Sequence, residues 1–547
     1  MSQSEVRGQA AAVEDTMPLT PRPPAAPDGP GRHGGGRRSG GPKADRRRRR
    51  RRVLRWSAIV LAVAILGTVA TGYLYYEHLN GNIRKGERSS GDSTAQKARP
   101  NAAGQTPLNI LLIGSDSRNS DENVKLGGAR YDRGSPPLGD VQMLIHLSAD
   151  RSSAAIVSIP RDTRVDIPRC TDPRTGRVYP PTTGIINTSL ARGGAGCTLA
   201  TWQNLTGIYI DHWMTIDFAG VVKMADAIGG VEVCVNQNVW DRSTAAQRGG
   251  SGLKLTAGRH KVKGVQALQW LRTRHAWGSD LMRARAQHMY LNSMIRTLKH
   301  QNVFTDTGRL MNLAEAATNS LTVSKEIGTV KKLYDLSKEL KSVPTDRITS
   351  VTMPNLPDPQ NSDHVVPDRT GAGRLWQMLR DDVPLDKNSQ GAGARQAASK
   401  STPAKAPSLS PDRLGVLVQN ATRTGTQAPV SGRAREITQA LAQQGYARAS
   451  ADTAETLSQD TTVVRYPSAD LEGDAQAVAK ALGIPLTAVK RSTDVSGVTV
   501  VVGADWRTGT AYPRQAPPKA GDIPSGADAI NGSDDSRCMD VYKPYQW

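Results

Sequence analysis

Cysteine is scarce in this chain. Its 547 residues include four, Cys170, Cys197, Cys234 and Cys538, and no two stand at the close spacing of a zinc site. Large apolar side chains are nearly missing from residues 1–52, which are rich in Pro, Gly and Arg. That segment has too little to bury and is expected to be disordered. Acidic residues are in deficit: 50 Asp and Glu against 71 Lys and Arg, a formal net charge of +21. Charge is absent altogether from Trp56 to Tyr76, WSAIVLAVAILGTVATGYLYY. About 20 such residues span a bilayer as a helix.

This apolar run changes what the positive charge means. Arg46 to Arg52 form an unbroken arginine run just before it. Basic residues before a span hold the N-terminus in the cytoplasm, so the chain beyond about Tyr76 is expected outside the cell. A cleaved signal peptide fits less well, because the apolar run is long and far from Met1. Anionic membrane lipid is then the expected partner of the basic tail, and no nucleic acid partner is expected. Cys170 and Cys197 flank a Pro/Gly/Thr-rich segment. Either a disulfide or two buried thiols fits them, and an oxidising compartment favours the disulfide. Cys234, inside VEVCV, reads as a core thiol; Cys538 has no evident partner.

Composition divides the chain into 1–52, a basic disordered tail; 53–76, a membrane helix; 77–106, a linker; 107–385, a large α/β body; 386–411, a flexible linker; 412–506, a second, smaller α/β domain; and 507–547, a loose tail. In the body, LNILLIG (108–114), VQMLIHLS (141–148) and AAIVSIP (154–160) read as strands. HWMTID and VEVCV bracket a helix, FAGVVKMADAIGG, stopped by two glycines. Residues 307–342 read as two helices. The small domain has strands at LGVLVQN, TTVVRYP and VTVVVG, with helices near 432–445 and 470–482. Strands alternating with helices imply a layered sheet covered by helices.

The chemistry-bearing residues gather at strand ends. Asp116 and Arg118 follow the first strand, Asp140 precedes the second, and Arg161-Asp162 follow the third. Ligands of open α/β sheets collect at such ends. Further on, Arg272-Thr273-Arg274 is followed by Asp280, Arg283, Arg285 and Gln287, amid apolar positions suited to partly buried helices. Arg283 and Gln287 stand four apart and share a helix face. Guanidinium forks suit phosphate oxygens. Asp116 and Asp140 together suit a hard cation bound along with substrate phosphate.

The stretches NILLIGSDSR, SIPRDT, INTSLARGGAG, DFAGVVKMADAIGGVEV and ALQWLRTRH…SDLMRARAQ, in this order over about 107–300, resemble the LytR-CpsA-Psr family of cell-envelope proteins. Residues 412–506, with VLVQNAT and VAKALGI, resemble the C-terminal domain often found in that family. Scarce Phe beside abundant Ala, Arg and Gly suits a high-GC actinobacterium. The resemblance implies an αβα layered sandwich with a mixed central sheet. It implies a transferase that moves a glycopolymer from a polyprenyl-pyrophosphate carrier to peptidoglycan, leaving a phosphodiester. By motif, Asp116 and Asp140 match the positions for Mg²⁺ (or Mn²⁺), and Arg118, Arg161, Arg272, Arg274, Arg283 and Gln287 the phosphate-binding positions. Asp116, Asp140 and Arg161 are the expected catalytic residues; Asp116 as base and Asp116 as metal ligand both remain open. Ile185 stands where the family often has Lys, Gly139 where it often has Ser, and the direction of Arg285 is undetermined. A lipid-binding sensor without turnover, an envelope scaffold, and a phosphatase releasing the headgroup to water are the alternatives.

Overall fold

The computed structural model describes residues 43–547 except Arg118, 128–132, 246, 302–305, 389–404, 425–426, 454–456, 460 and 514–517. Residues 1–42 of the expected disordered tail and most of the 386–411 linker therefore lie outside the described residues. The chain divides into two units, Met1–Gly72 and Tyr73–Trp547.

In the first unit the described residues belong to helix α1 (Lys43–Asn82). The expected boundary at 52 is corrected: the arginine run is helical, as suits a good helix former. Large apolar side chains from Val53 to Leu74 are exposed, Leu66 at 67%. An uncovered apolar surface of this length is unfavourable in water and matches the thickness of a bilayer core.

In the second unit an eight-stranded mixed sheet forms the centre. Its strands are β1 (Arg84–Gly86), β2 (Leu108–Ser115), β3 (Gly139–Leu147), β4 (Ala154–Ser158), β5 (His212–Ile216), β10 (Leu321–Ser324), β11 (Ile348–Thr352) and β17 (Ala529–Asn531). Between β5 and β10 lie β6 (Val231–Val235) with β9 (Gly258–Val262), and β7 (Val239–Trp240) with β8 (Lys254–Leu255), two small antiparallel pairs. The sheet order is β1-β10-β5-β2-β3-β4-β11-β17. The β1–β10, β5–β2 and β4–β11 pairs are parallel and the other four antiparallel.

The central strands are apolar on both faces because both are covered. Along β2, Leu111 and Ile113 join a core with Trp202 of α2 (Ala195–Thr206) and Leu375 and Met378 of α8 (Arg369–Arg380). Ile110 and Leu112 face the other way, toward Leu291 of α5 (Asp280–His300) and Leu336 of α7 (Val330–Ser342). Helices α3 (Phe218–Ala227), α4 (Gly264–Arg272) and α6 (Thr307–Ser320) complete the large domain. This is the expected αβα sandwich. The reading of 307–342 as two helices omitted β10 between them. VEVCV is a strand, but outside the central sheet.

The second domain carries β12 (Val416–Asn420), β13 (Ala449–Ala451), β14 (Val463–Tyr466), β15 (Val489–Arg491) and β16 (Val498–Val502) in the order β13-β12-β16-β14-β15. Helices α9 (Arg433–Gln443) and α10 (Glu472–Leu482) share its core.

Two segments expected to be loose belong to the large domain. In 77–106, Leu79 and Ile83 are buried and β1 forms an edge of the main sheet. In 507–547, β17 pairs with β11, and Met539, Val541 and Tyr545 enter a core with Trp270 and Val233. Cys538 is bonded to Cys234, 304 residues away, so Cys234 is not a core thiol. The expected Cys170–Cys197 disulfide is present. Neither the tail's docking nor its cysteine partner has a local signal: the segment is polar and short of periodic apolar positions.

Candidate active site

A cavity of about 510 Å³ opens between the C-terminal ends of β2 and β5 and helices α3, α4 and α5. Its wall has two characters. At the strand tips and beyond them stand Asp140, Arg161, Asp217, Asp241, Ser251, Arg272, Arg274, His275, Arg283 and Gln287; further into the sheet Leu112, Met143 and Met214 share a row, and Met224, Leu291, Met294 and Leu321 add to the apolar wall. The structure thus brings together six of the residues expected from sequence. Arg118 lies outside the described residues.

A β-bulge aims Asp140. Gly114 pairs with Val141 and Ser115 with Gly139, which leaves Asp140 as the extra residue of β3. In an unbroken strand Asp140 would share a face with Gln142. Gln142 points to the opposite core, where its Oε1 accepts a hydrogen bond from Trp202 Nε1 at 2.6 Å. The bulge instead puts Asp140 on the cavity wall beside Val141 and Met143. Bulges commonly redirect a side chain at sites of this kind. Asp116 is close by along the chain pairing but not on the wall. Its backbone amide donates to Leu138 O, and its Oδ1 accepts from Leu138 N at 2.7 Å.

The arginines come from three places. Arg161 follows β4; its Nη1 lies 3.1 Å from Asp140 Oδ1 and its Nε 3.1 Å from Asp162 Oδ2. Burial opposes its charge, but Asp140, Asp162 and Asp280 more than offset this and raise its pKa. Arg272 ends α4; Nη1 donates to Leu126 O at 2.8 Å, and the guanidinium stacks 4.7 Å from the Phe218 ring centroid. Arg274 and Arg283 share Asp280, at 3.3 and 3.0 Å. Arg283 is buried, and its pKa is lowered, first by burial and also by the charges of Arg161 and Arg274. Arg161 and Arg274 are thus each close enough to oppose the charge of Arg283. Gln287, one turn along α5 from Arg283, donates from Nε2 to Leu271 O at 3.0 Å. Arg285 is turned elsewhere and pairs with Asp528 at 2.8 Å.

On α3, Val221 and Ala225 are on the wall and Val222 is not. Positions 221 and 225 share a face of α3, while 222 is rotated about 100° away. Sequence reasoning missed Asp241 and His275. Asp241 is 1% exposed, its Oδ1 lacks a hydrogen-bond partner, and it lies 4.0 Å from His275 Nδ1. Asp241 sits in a polar loop without a motif, although His275 directly follows the paired arginines.

The sequence profile of the LytR_cpsA_psr family matches residues 73–381, more than half of the chain. The chain belongs to this family. A second profile, described as LytR cell envelope-related transcriptional attenuator, matches 413–506. Outside these two ranges lies 507–547, so family membership does not account for the docked tail. Cell wall biosynthesis protein LcpA of Corynebacterium glutamicum is 27% identical over 489 residues, covering 83% of this chain and 86% of that protein. Polyisoprenyl-teichoic acid–peptidoglycan teichoic acid transferase TagU of Enterococcus faecalis is 27% identical over 216 residues, 40% of this chain and 61% of its own length. Among solved structures, the LytR-Csp2A-Psr enzyme from Actinomyces oris aligns at 18% identity and a TM-score of 0.40, over 54% of this chain and 95% of the other.

Proposed function

We propose that this protein is a membrane-anchored phosphotransferase. It moves a glycopolymer from a polyprenyl-pyrophosphate carrier onto peptidoglycan, leaving a phosphodiester bond. The observation that carries this is the two-ended cavity in a member of this family. Its apolar end suits a polyprenyl chain. Its arginine end suits pyrophosphate, whose charge would offset the repulsion of Arg283 by Arg161 and Arg274. The names of the relatives, a cell wall biosynthesis protein and a teichoic acid transferase, agree with it.

In this reaction an acceptor hydroxyl oxygen bonds to the phosphorus that carries the glycan. The bond from that phosphorus to the lipid phosphate oxygen breaks, polyprenyl phosphate leaves, and the proton lost by the hydroxyl passes to the departing phosphate. The chain's own contribution is positioning and charge neutralisation, which is most of what phosphoryl transfer needs. Arg272 and Arg274 hold the bound pyrophosphate from the α4 end, and Arg161 and Arg283 from the sheet and α5. The apolar wall keeps water from the lipid end.

Asp140 and Asp116 are the residues that would hold a divalent ion of the Mg²⁺ or Mn²⁺ type. Among the described residues no group of three His, Cys, Asp or Glu could hold a metal. Two carboxylates at adjoining strand ends, Asp140 and Asp116, match an ion that takes most of its other ligands from water and phosphate. When bound, the ion would supply further neutralisation of phosphate charge.

We assign the body to the outer side of the membrane. The arginine run before the apolar stretch and two disulfides in the body support this.

The test is transfer in vitro, with a lipid-pyrophosphate glycan, peptidoglycan fragments and Mg²⁺, with and without chelator. Product joined by a phosphodiester supports the proposal. Lipid binding without turnover would instead identify a binding or regulatory protein, and release of free phosphorylated glycan a hydrolase.

A further inference from the structure

Of the nine tryptophans, six are buried and Trp56 lies in α1. The remaining two, Trp240 and Trp547, are 39% and 51% exposed and lie together. Trp547 Nε1 donates to Val239 O at 3.1 Å, and Asn238 Nδ2 donates to Trp547 O at 3.0 Å. Lys254 pairs with Trp240 across β7 and β8. Its Nζ lies 4.7 Å from the Trp240 ring centroid and 4.4 Å from that of Trp547. The Arg242 guanidinium stacks on Trp240 at 4.7 Å. Between Trp240 and Arg242 comes Asp241, which turns inward to the polar end of the cavity.

We propose that Trp240, Trp547, Lys254 and Arg242 form the platform for the acceptor, a saccharide strand that bears carboxylates. This rests on the transferase reading above. Indole faces suit the C–H faces of sugar rings, and two exposed indoles side by side are an unusual outlay of apolar surface in a chain with so few aromatics. The cations would pair with the carboxylates of such a strand.

Geometry favours acceptor over donor. The attacking and leaving oxygens of phosphoryl transfer lie roughly in line. The leaving lipid phosphate points to the apolar end of the cavity. The acceptor must then enter from the polar end, where Asp241 links the wall to the platform. Residue 547 lies outside both family matches, so one of the two indoles comes from the docked tail.

The test uses the full chain in detergent micelles. Its probes are soluble peptidoglycan fragments with peptide stems, neutral N-acetylglucosamine oligomers, and the unlipidated donor glycan. Binding is followed by calorimetry and tryptophan fluorescence. Trp240→Ala and Trp547→Ala should each weaken the acidic fragments about tenfold or more, and Trp547→Phe should restore most of the loss. Lys254→Gln should weaken the acidic fragments and leave the neutral oligomers unchanged. Affinity for polyprenyl pyrophosphate should stay as in the wild type. In transfer assays the acceptor KM should rise with kcat unchanged.

Unchanged fragment affinity in folded Trp240→Ala and Trp547→Ala variants would overturn the platform, and lower melting alone would reduce it to a staple for the tail. Preference for the donor glycan would overturn it too. The two proposals separate cleanly. Loss of fragment binding in the variants, with no transfer by the wild type, keeps the platform and refutes the transferase. Wild-type transfer with an unaltered acceptor KM in the variants does the reverse.

Discussion

Serine at Cys538 isolates what fastens the 529–547 tail. The Cys234–Cys538 bond spans 304 residues and the Cys170–Cys197 bond 27. On the chain-entropy model, closing these loops in the unfolded chain contributes about 5.7 and about 3.6 kcal/mol. The longer loop contains the second domain, 413–506. If that domain stays folded, the effective loop is shorter, but the dependence is logarithmic and the value drops by only about 0.3 kcal/mol. Spread over a domain of this size, the loss converts to a melting decrease of about 9 °C for Cys538→Ser and about 5 °C for Cys197→Ser. Scanning calorimetry of the full chain in micelles reads both. Hydrogen exchange adds location. The Met539 and Tyr542 amides, which donate to Cys234 O and Ala276 O, should lose protection first in Cys538→Ser. A Cys538→Ser variant that melts within a degree of the wild type with both amides still protected would refute this role for the bond. The tail would then be held by its packing alone.

Asp140→Asn should abolish transfer yet leave polyprenyl pyrophosphate binding intact, and Asp116→Asn should do the same if both acids hold the ion. Full activity in both folded variants would remove the metal assignment. Arg272→Ala should weaken lipid pyrophosphate binding by about 1.5–3 kcal/mol, the worth of a charge-assisted contact, and Arg274→Lys should be poorly tolerated because an ammonium lacks the fork; wild-type titrations would contradict both. His288 is fully buried, and burial lowers its pKa from 6.5 to about 4. The unfolded chain therefore binds a proton that the folded one refuses. Stability from this group is complete above pH 6.5 and falls by about 3 kcal/mol as pH drops toward 4. His288→Asn, if it folds, should flatten urea midpoints over that window, and an unchanged slope would exclude the histidine. Protease added to wall-stripped cells should degrade the body and spare an N-terminal tag; the opposite pattern would reverse the topology.

Much of the large domain was legible because its strands are short apolar runs and its site arginines sit in one compact stretch. Arg272, Arg274, Arg283 and Gln287 could be grouped from their closeness in the sequence alone. The direction of Asp140 could not, because it depends on a one-residue offset between β2 and β3 that only pairing reveals. Arg285 was undecidable for a similar reason: its partner, Asp528, is 243 residues away. β1 and β17 are three residues each, too short for a pattern to register. Asp241 reaches the cavity by tertiary packing of a polar loop.

The tail also has a consequence for time. Residues 529–547 are made after every element of the large domain that they dock against, and after the second domain. β17 at one edge of the central sheet, the Cys234 bond and part of the core around Trp270 must wait for them. Chains are synthesised at about 5–20 residues per second, with earlier domains folding first. The turn that follows Arg274 gains its contact with Tyr542 only once the tail has been made. A chain cut short before 529 would keep every arginine of the cavity and still lack the segment that finishes its surroundings. Synthesis of residues 529–547 is thus built into the assembly of the site as a late step.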